Sequence, residues 1–157
     1  MPTPNDELER LRQLHELQIL DTPREPTFDR LTALAAELLD VPIALISLVD
    51  AERQWFKSAV GLDARQTGRD VSLCNHTVAS RRPLLIEDTL TDPRFAGNPL
   101  VTGAPHIRFY AGIPLMPDGH HVLGTLCVID RRPRQLSADQ LRQLEALAGQ
   151  VEELLKL

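Results

Sequence analysis

The amino-acid sequence predicts a mixed α/β domain, and three observations carry that prediction. Apolar residues recur at helical spacing near both ends of the chain, residues 43–49 form a run that is apolar on both alternating faces, and two strand-like segments flank Pro117-Asp118-Gly119, a strong hairpin signal.

The first helix is expected to start after Thr3, with Pro4 suited to the first helical position and Asp6 facing the positive end of the dipole, and to run to about Leu20. Its apolar residues Leu8, Leu11, Leu14, Leu17, Ile19 and Leu20 drift around the axis, which suits contact with the domain, a partner helix, or both. Asp21-Thr22-Pro23 breaks it. Phe28, Leu31, Leu34, Ala35, Leu38 and Leu39 then recur as a core helix that stops at Val41-Pro42.

Residues 43–49 are apolar on both alternating faces, as a central strand covered on both sides requires. After a turn at 50–53, residues 54–60 set Trp55, Lys57 and Ala59 against Phe56, Ser58 and Val60, a returning antiparallel strand closed by Gly61. Residues 63–70 read as a polar loop. Ser72 reads as the N-cap of a short helix to about Ser80, and a strand over 84–87 follows Arg81-Arg82-Pro83.

Thr89 and Asp92 have capping-box spacing, while Pro93, Gly97 and Pro99 allow only a short helix before an irregular segment at 98–105. That segment is long for a compact domain and is a candidate lid or pocket wall. Residues 107–115 and 121–129 form the hairpin strands. Ser137, with Gln140 at capping-box spacing, opens a last helix over 137–157, in which Leu141, Leu144, Ala148, Val151 and Leu155 make a heptad seam. That seam fits a dimerising or output helix, a helix cut from a longer protein, or simple docking on the sheet.

A chain of 157 residues with 43% hydrophobic and 25% charged content fits a single domain, 1–157, able to bury a core unaided. A net charge of -5 with arginines scattered among acids argues against nucleic-acid and anionic-membrane surfaces. Cys74 and Cys127 form no CxxC pair, so reduced thiols in a cytoplasmic protein are expected rather than a disulfide framework or zinc knuckle. The N-terminus lacks signal-peptide regions, and no apolar run approaches a membrane span.

The element order, with DAERQWFKSAVGL, SLCNHTV, DPRFAGNPLVTGAPHIRFYAGIPL and GTLCVID, resembles a GAF domain over nearly the whole chain. It looks most like the bacterial subgroup in front of sensor histidine kinases or diguanylate cyclases. The resemblance implies an α+β fold: a central antiparallel sheet, terminal helices on one face, and short helices plus loops enclosing a pocket on the other. It also implies a small-molecule sensor in signal transduction, two-component systems included.

The candidate ligand-binding residues are Phe56, Cys74, His76, Phe95, Arg108, Tyr110 and Cys127. Cys74 falls in the first turn of its helix, where the dipole favours thiolate, although a buried structural cysteine is the simpler reading. His76 lies two residues on and does not face it within a helix. Arg108 offers a fork of donors for carboxylate or phosphate, or else ties a loop to Asp88 or Asp92. Trp55 and Phe56 point to opposite sheet faces, so at most one enters a given pocket.

Within the resemblance, bilin is disfavoured: Asn75 separates Cys74 from His76 and the surrounding chromophore motif is not evident. The strand Ile107-Arg108-Phe109-Tyr110 lacks the cysteine of methionine-sulfoxide reductases. The Asn-Lys…Phe…Asp-Glu pattern of cyclic-nucleotide binders is absent, since the only Asp-Glu dipeptide is Asp6-Glu7.

His120-His121 diverge beside a turn and lack a well-spaced second ligand, and Cys74, His76, His106 and Cys127 could converge only through folding, so no metal site is assigned. GxSxG, P-loop, HExxH and dinucleotide glycine patterns are also missing. The expectation is a non-enzymatic sensor that binds a small molecule of unknown identity, dimerises through its terminal helices and drives an output domain. The alternatives are a passive dimerisation domain and a thiol-based redox sensor or enzyme acting through Cys74.

Overall fold

The computed structural model describes residues 3–157. Six antiparallel strands form one sheet in the order β3-β2-β1-β6-β5-β4, built from β1 Ile43–Val49, β2 Arg53–Val60, β3 Gln66–Gly68, β4 Leu84–Ile86, β5 Phe109–Leu115 and β6 Gly124–Asp130. The helices are α1 Pro4–Glu16, α2 Pro26–Leu39, α3 Cys74–Ser80, α4 Pro99–Thr102 and α5 Ala138–Leu155. The fold is α+β, as the sequence predicts.

Alternation along the central strands divides the core in two. Ala44, Ile46 and Leu48 of β1, Trp55 of β2 and Phe109 of β5 pack with Leu14, Phe28, Leu31, Leu144 and Val151 in a helical layer of α1, α2 and α5. Ile43, Leu45 and Val49, with Phe56, Tyr110, Cys127 and Ile129, face the opposite layer, which Leu73, Cys74, Val78, Phe95 and Val101 complete. Both faces of β1 and β6 are buried, which explains why apolar residues occupy both alternating faces of each strand.

Several local expectations give way to longer-range forces. The first helix ends at Glu16 rather than Leu20, because Gln18 and Asp21 take left-handed φ values of 52° and 63° and turn Ile19 into the core. Thr3 is its N-cap, in a reciprocal capping box with Asp6. The expected loop at 63–70 contains β3, an edge strand on β2, followed by a 3-10 turn at Arg69–Val71.

Ser72 does not cap α3: the N-cap position is Leu73, and the buried Ser72 hydroxyl donates to Gln54 Oε1 at 2.7 Å. Thr89 likewise donates inward, to Ile107 O at 2.6 Å, leaving Asp88 to cap the 3-10 turn Thr89–Thr91. The segment at 98–105 is not wholly irregular, since α4 forms within it under an Asn98 cap whose amide also donates to Val71 O at 3.1 Å.

The alternation read along β2 breaks at a bulge. Ile46 pairs with Ser58 and Ser47 with Phe56, so Lys57 is an extra residue. Lys57 and Ser58 consequently both face the helical layer. The Ser58 hydroxyl donates to Asp29 Oδ1 at 2.5 Å and lies 2.7 Å from Thr32 Oγ1, while Ala59 joins Phe56 on the other face. The ammonium of Lys57, fully buried, donates to Thr22 Oγ1 and Pro23 O, pairs with Glu25 at 2.5 Å and lies 5.5 Å from the centroid of the Phe28 ring.

Helix α5 begins with the expected capping box, Ser137 with Gln140. Its seam residues Leu144, Ala148, Val151 and Leu155 are buried against the chain's own core, so within the chain the heptad pattern docks on the sheet.

Candidate functional site

Between the second sheet face and the layer of α3 and α4 lies a cavity of about 480 Å³. Its floor is Ile43 and Leu45 of β1, Phe56 of β2, Tyr110 of β5, and Cys127 and Ile129 of β6. Leu73 and Cys74 at the start of α3 form one wall; Leu100, Ala104, Pro105 and Ile107 form another, so the long segment predicted as a lid or wall borders the cavity. Residues 61–64 and Thr67 close a third side, and the exposed Asp63 and Arg131 stand at the rim.

Few polar groups interrupt this apolar lining. The buried Gln54 is fixed at both ends, accepting from Ser72 and donating through Nε2 to Thr67 Oγ1 at 3.0 Å. Cys74 Sγ lies 2.9 Å from Tyr110 Oη and 3.0 Å from Thr125 Oγ1. Thr125 and Cys127 are two apart on β6 and therefore share a face. Gly112 makes room for this cluster, because a Cβ there would lie 2.6 Å from Tyr110 Oη.

Cys127 therefore neighbours Cys74 across this cluster, and the acidities of the two thiols diverge. Burial opposes ionisation of Cys74, but the neighbouring Cys127 and the hydroxyls of Thr125 and Tyr110 outweigh it and leave Cys74 the more acidic thiol. Cys127 is pushed well up by the neighbouring Cys74 and by burial. Burial and both sulfurs likewise raise the Tyr110 phenol, which stays protonated.

Of the residues singled out in the sequence, Phe56, Cys74, Tyr110 and Cys127 line the cavity. Phe95 is fully buried in the same apolar layer but behind the wall, with the His76 ring edge-on to it at 4.6 Å and the Arg94 guanidinium 5.0 Å from its centroid. His76 is exposed, and partial burial and Arg94 lower its pKa. Arg108 Nη1 donates to Val101 O at 2.8 Å and Ile107 O at 3.2 Å, which ties the strand entrance to α4. Among the described residues, no group of three or more His, Cys, Asp or Glu is placed to hold a metal ion.

Sequence reasoning passed over Gln54, Thr125 and Arg69. Thr125 could have been found from its strand parity with Cys127, whereas nothing local marks Gln54 or Arg69. The Arg69 guanidinium donates to Glu7 Oε1 on α1 at 2.8 Å and to Asn75 Oδ1 on α3 at 2.9 Å, joining the cavity wall to the N-terminal helix. Glu7 also receives Arg10, whose Nη1 donates to Val49 O at 2.6 Å.

A family model described as "GAF domain" matches residues 23–155. The chain is 44% identical over 133 residues to a cyclic di-GMP phosphodiesterase of Pseudomonas aeruginosa, covering 85% of this chain and 23% of the phosphodiesterase. It is 27% identical over 123 residues to the Nif-specific regulatory protein of Azorhizobium caulinodans, covering 71% of this chain and 20% of the regulator. The chain thus spans less than a quarter of the length of either curated relative. The GAF domain of a phosphoenolpyruvate-protein phosphotransferase from Coxiella burnetii superimposes with a TM-score of 0.69 at 16% identity, covering 95% of this chain and 92% of that one, a likeness of fold.

Proposed function

The chain belongs to the GAF domain family, and from that premise we propose that it is a non-enzymatic sensory module of bacterial signalling that binds a small molecule in the cavity above β1, β2, β5 and β6. The carrying observation is the cavity itself: about 480 Å³, largely apolar, with a few fixed polar groups, which are the attributes of a small-molecule site. Phe56, Tyr110, Cys74 and Cys127 contact the ligand in this reading, Phe95 and His76 brace α3 from behind, and Arg108 positions α4.

The output is mechanical. A ligand that binds one placement of α3 more tightly than another shifts the population between them, and the Asn75–Arg69–Glu7 link carries that shift to α1. The proposal places the module, residues 1–157, in the cytoplasm as a homodimer through the outward faces of its terminal helices, since the α5 seam is already filled. Leu8, 66% exposed on α1, is available for such a contact. The output domain in this reading is a histidine kinase or a diguanylate cyclase, and the match to a small part of a longer cyclic di-GMP phosphodiesterase supports an output domain that acts on cyclic di-GMP.

A fragment screen read by melting temperature, with cross-linking of α5 between copies as the second readout, tests the function. Fragments that raise the melting temperature and alter the cross-linking pattern are the expected result. If stabilising fragments leave the cross-links unchanged, the relay fails; if none stabilises, the chain is a passive dimerisation domain.

A further inference from the structure

We propose that Cys74 and Cys127 form a dithiol that reduces an organic hydroperoxide entering the cavity, closing into a disulfide as the hydroperoxide becomes its alcohol. The inference rests on the reading above that this cavity admits small molecules. It adds a reactant class and assigns separate tasks to the two sulfurs.

The placement of the thiols is the first argument. Cys74 at the start of α3 and Cys127 in the middle of β6 are far apart in sequence, yet both line the same cavity, and Cys74 Sγ lies 3.0 Å from Oγ1 of Thr125, which shares the face of β6 that carries Cys127. A cysteine that merely fills space needs only apolar neighbours. Here Cys74 Sγ instead meets two hydroxyls, Tyr110 Oη at 2.9 Å and Thr125 Oγ1 at 3.0 Å, at the edge of a void.

The chemistry of the lining selects the reactant. Ile43, Leu45, Phe56 and Ile129 accept an apolar body and offer nothing to hold a fully hydrated peroxide. Cys74 is the attacking sulfur because its donors favour thiolate, and the protonated Tyr110 stands ready as a proton donor.

In the first step the Cys74 sulfur bonds to the terminal oxygen of the hydroperoxide as the O–O bond breaks. The alkoxide leaves as the alcohol, taking through the hydroxyls the proton that the thiol gave up, and Cys74 becomes a sulfenic acid. In the second step Cys127 attacks Cys74 Sγ, the S–S bond forms, and the S–O bond breaks. Hydroxide leaves as water with the Cys127 proton. Two thiols supply the two electrons that cleave the peroxide bond.

The test uses the reduced full chain with cumene hydroperoxide, hydrogen peroxide and the unreactive alcohol 2-phenylpropan-2-ol as separate probes. Peptide mapping of the wild-type chain should find an intramolecular Cys74–Cys127 disulfide, formed by cumene hydroperoxide at least about tenfold faster than by hydrogen peroxide, because burial of the apolar body raises its local concentration. Cys127→Ala should stop at a Cys74 sulfenic acid that dimedone traps. The wild-type measurement stands whether or not that variant folds.

Absence of the disulfide, bonds only between chains, or equal rates with the two peroxides would overturn the proposal. The alcohol separates this failure from that of the sensory reading. If it shifts the amide resonances of the cavity residues while no disulfide forms, the dithiol falls and the ligand site stands. If it shifts nothing and no disulfide forms, both lose their support.

Discussion

Glu7 joins the N-terminal helix to the cavity wall, and Glu7→Gln removes the charge from that join. The carboxylate accepts from Arg10 Nη2 at 2.6 Å and Arg69 Nη1 at 2.8 Å. Burial works against its ionisation, but the hydrogen bonds and charges of Arg10 and Arg69 prevail and hold its pKa at about 2 instead of 4.5. By linkage, a shift of that size corresponds to roughly 3 kcal/mol. The side chain is 31% exposed, so solvent screening reduces the expectation to about 1–2 kcal/mol.

The sign follows from the depressed folded-state value. The contribution is fully present above the ordinary carboxylate pKa and is lost as pH falls from about 4.5 towards about 2. Urea denaturation of both proteins should therefore show Glu7→Gln less stable by about 1–2 kcal/mol at pH 7, with the difference shrinking markedly at pH 3. Faster amide exchange confined to α1 at pH 7 should accompany it. A stability difference that is the same at both pH values would refute the assignment of the charge to this network.

Gly124→Ala should destabilise the chain by at least about 1–3 kcal/mol in the same assay, because the new Cβ would lie 1.8 Å from Ser47 O and 2.8 Å from Leu48 Cα, forcing β1 and β6 apart. An unchanged midpoint would contradict that register. Ser72→Ala should cost about 1 kcal/mol through the lost bond to Gln54, with the amide protection of α3 unchanged, since Ser72 is not its cap. Selective fraying of α3 would restore the capping role.

Periodicity exposed the element order because each long element buries one face or two, and burial writes itself into local spacing. The heptad pattern of α5 was likewise visible, but its partner was not: the same spacing serves another copy or the chain's own sheet, and Leu144, Ala148 and Val151 settle on the sheet. Residues whose roles are set by distant partners escaped. Ser72 reads as a cap until Gln54 is brought beside it. Ser58 reads as sharing a sheet face with Phe56 until the extra Lys57 in β2 reverses the alternation.

The candidate site divides along the same line. Phe56, Tyr110 and Cys127 are strand residues whose parity leads them to the cavity, and Cys74 reaches it from the first turn of α3. His76, two residues further along α3, points to solvent, as the helical spacing requires. Arg108 is polar and adjacent to the cavity-lining Ile107, yet its Nη1 donates to the backbone oxygens of Val101 and Ile107. The meeting of Cys74 with Tyr110 and Thr125 depends on how α3 lies over the sheet, which no local pattern encodes.

The central claim, that this chain is built around a ligand cavity, is tested most directly by mapping amide resonance shifts from a fragment screen onto the wild-type chain and onto Leu100→Trp. The half-buried Leu100 borders the cavity from α4, so the indole occupies the space a ligand would take. The account predicts that fragments shift the amides around Leu45, Phe56, Cys74 and Tyr110 in the wild type, and that the variant, still folded, loses those shifts. Fragment shifts that cluster elsewhere, or that persist undiminished in Leu100→Trp, would contradict it.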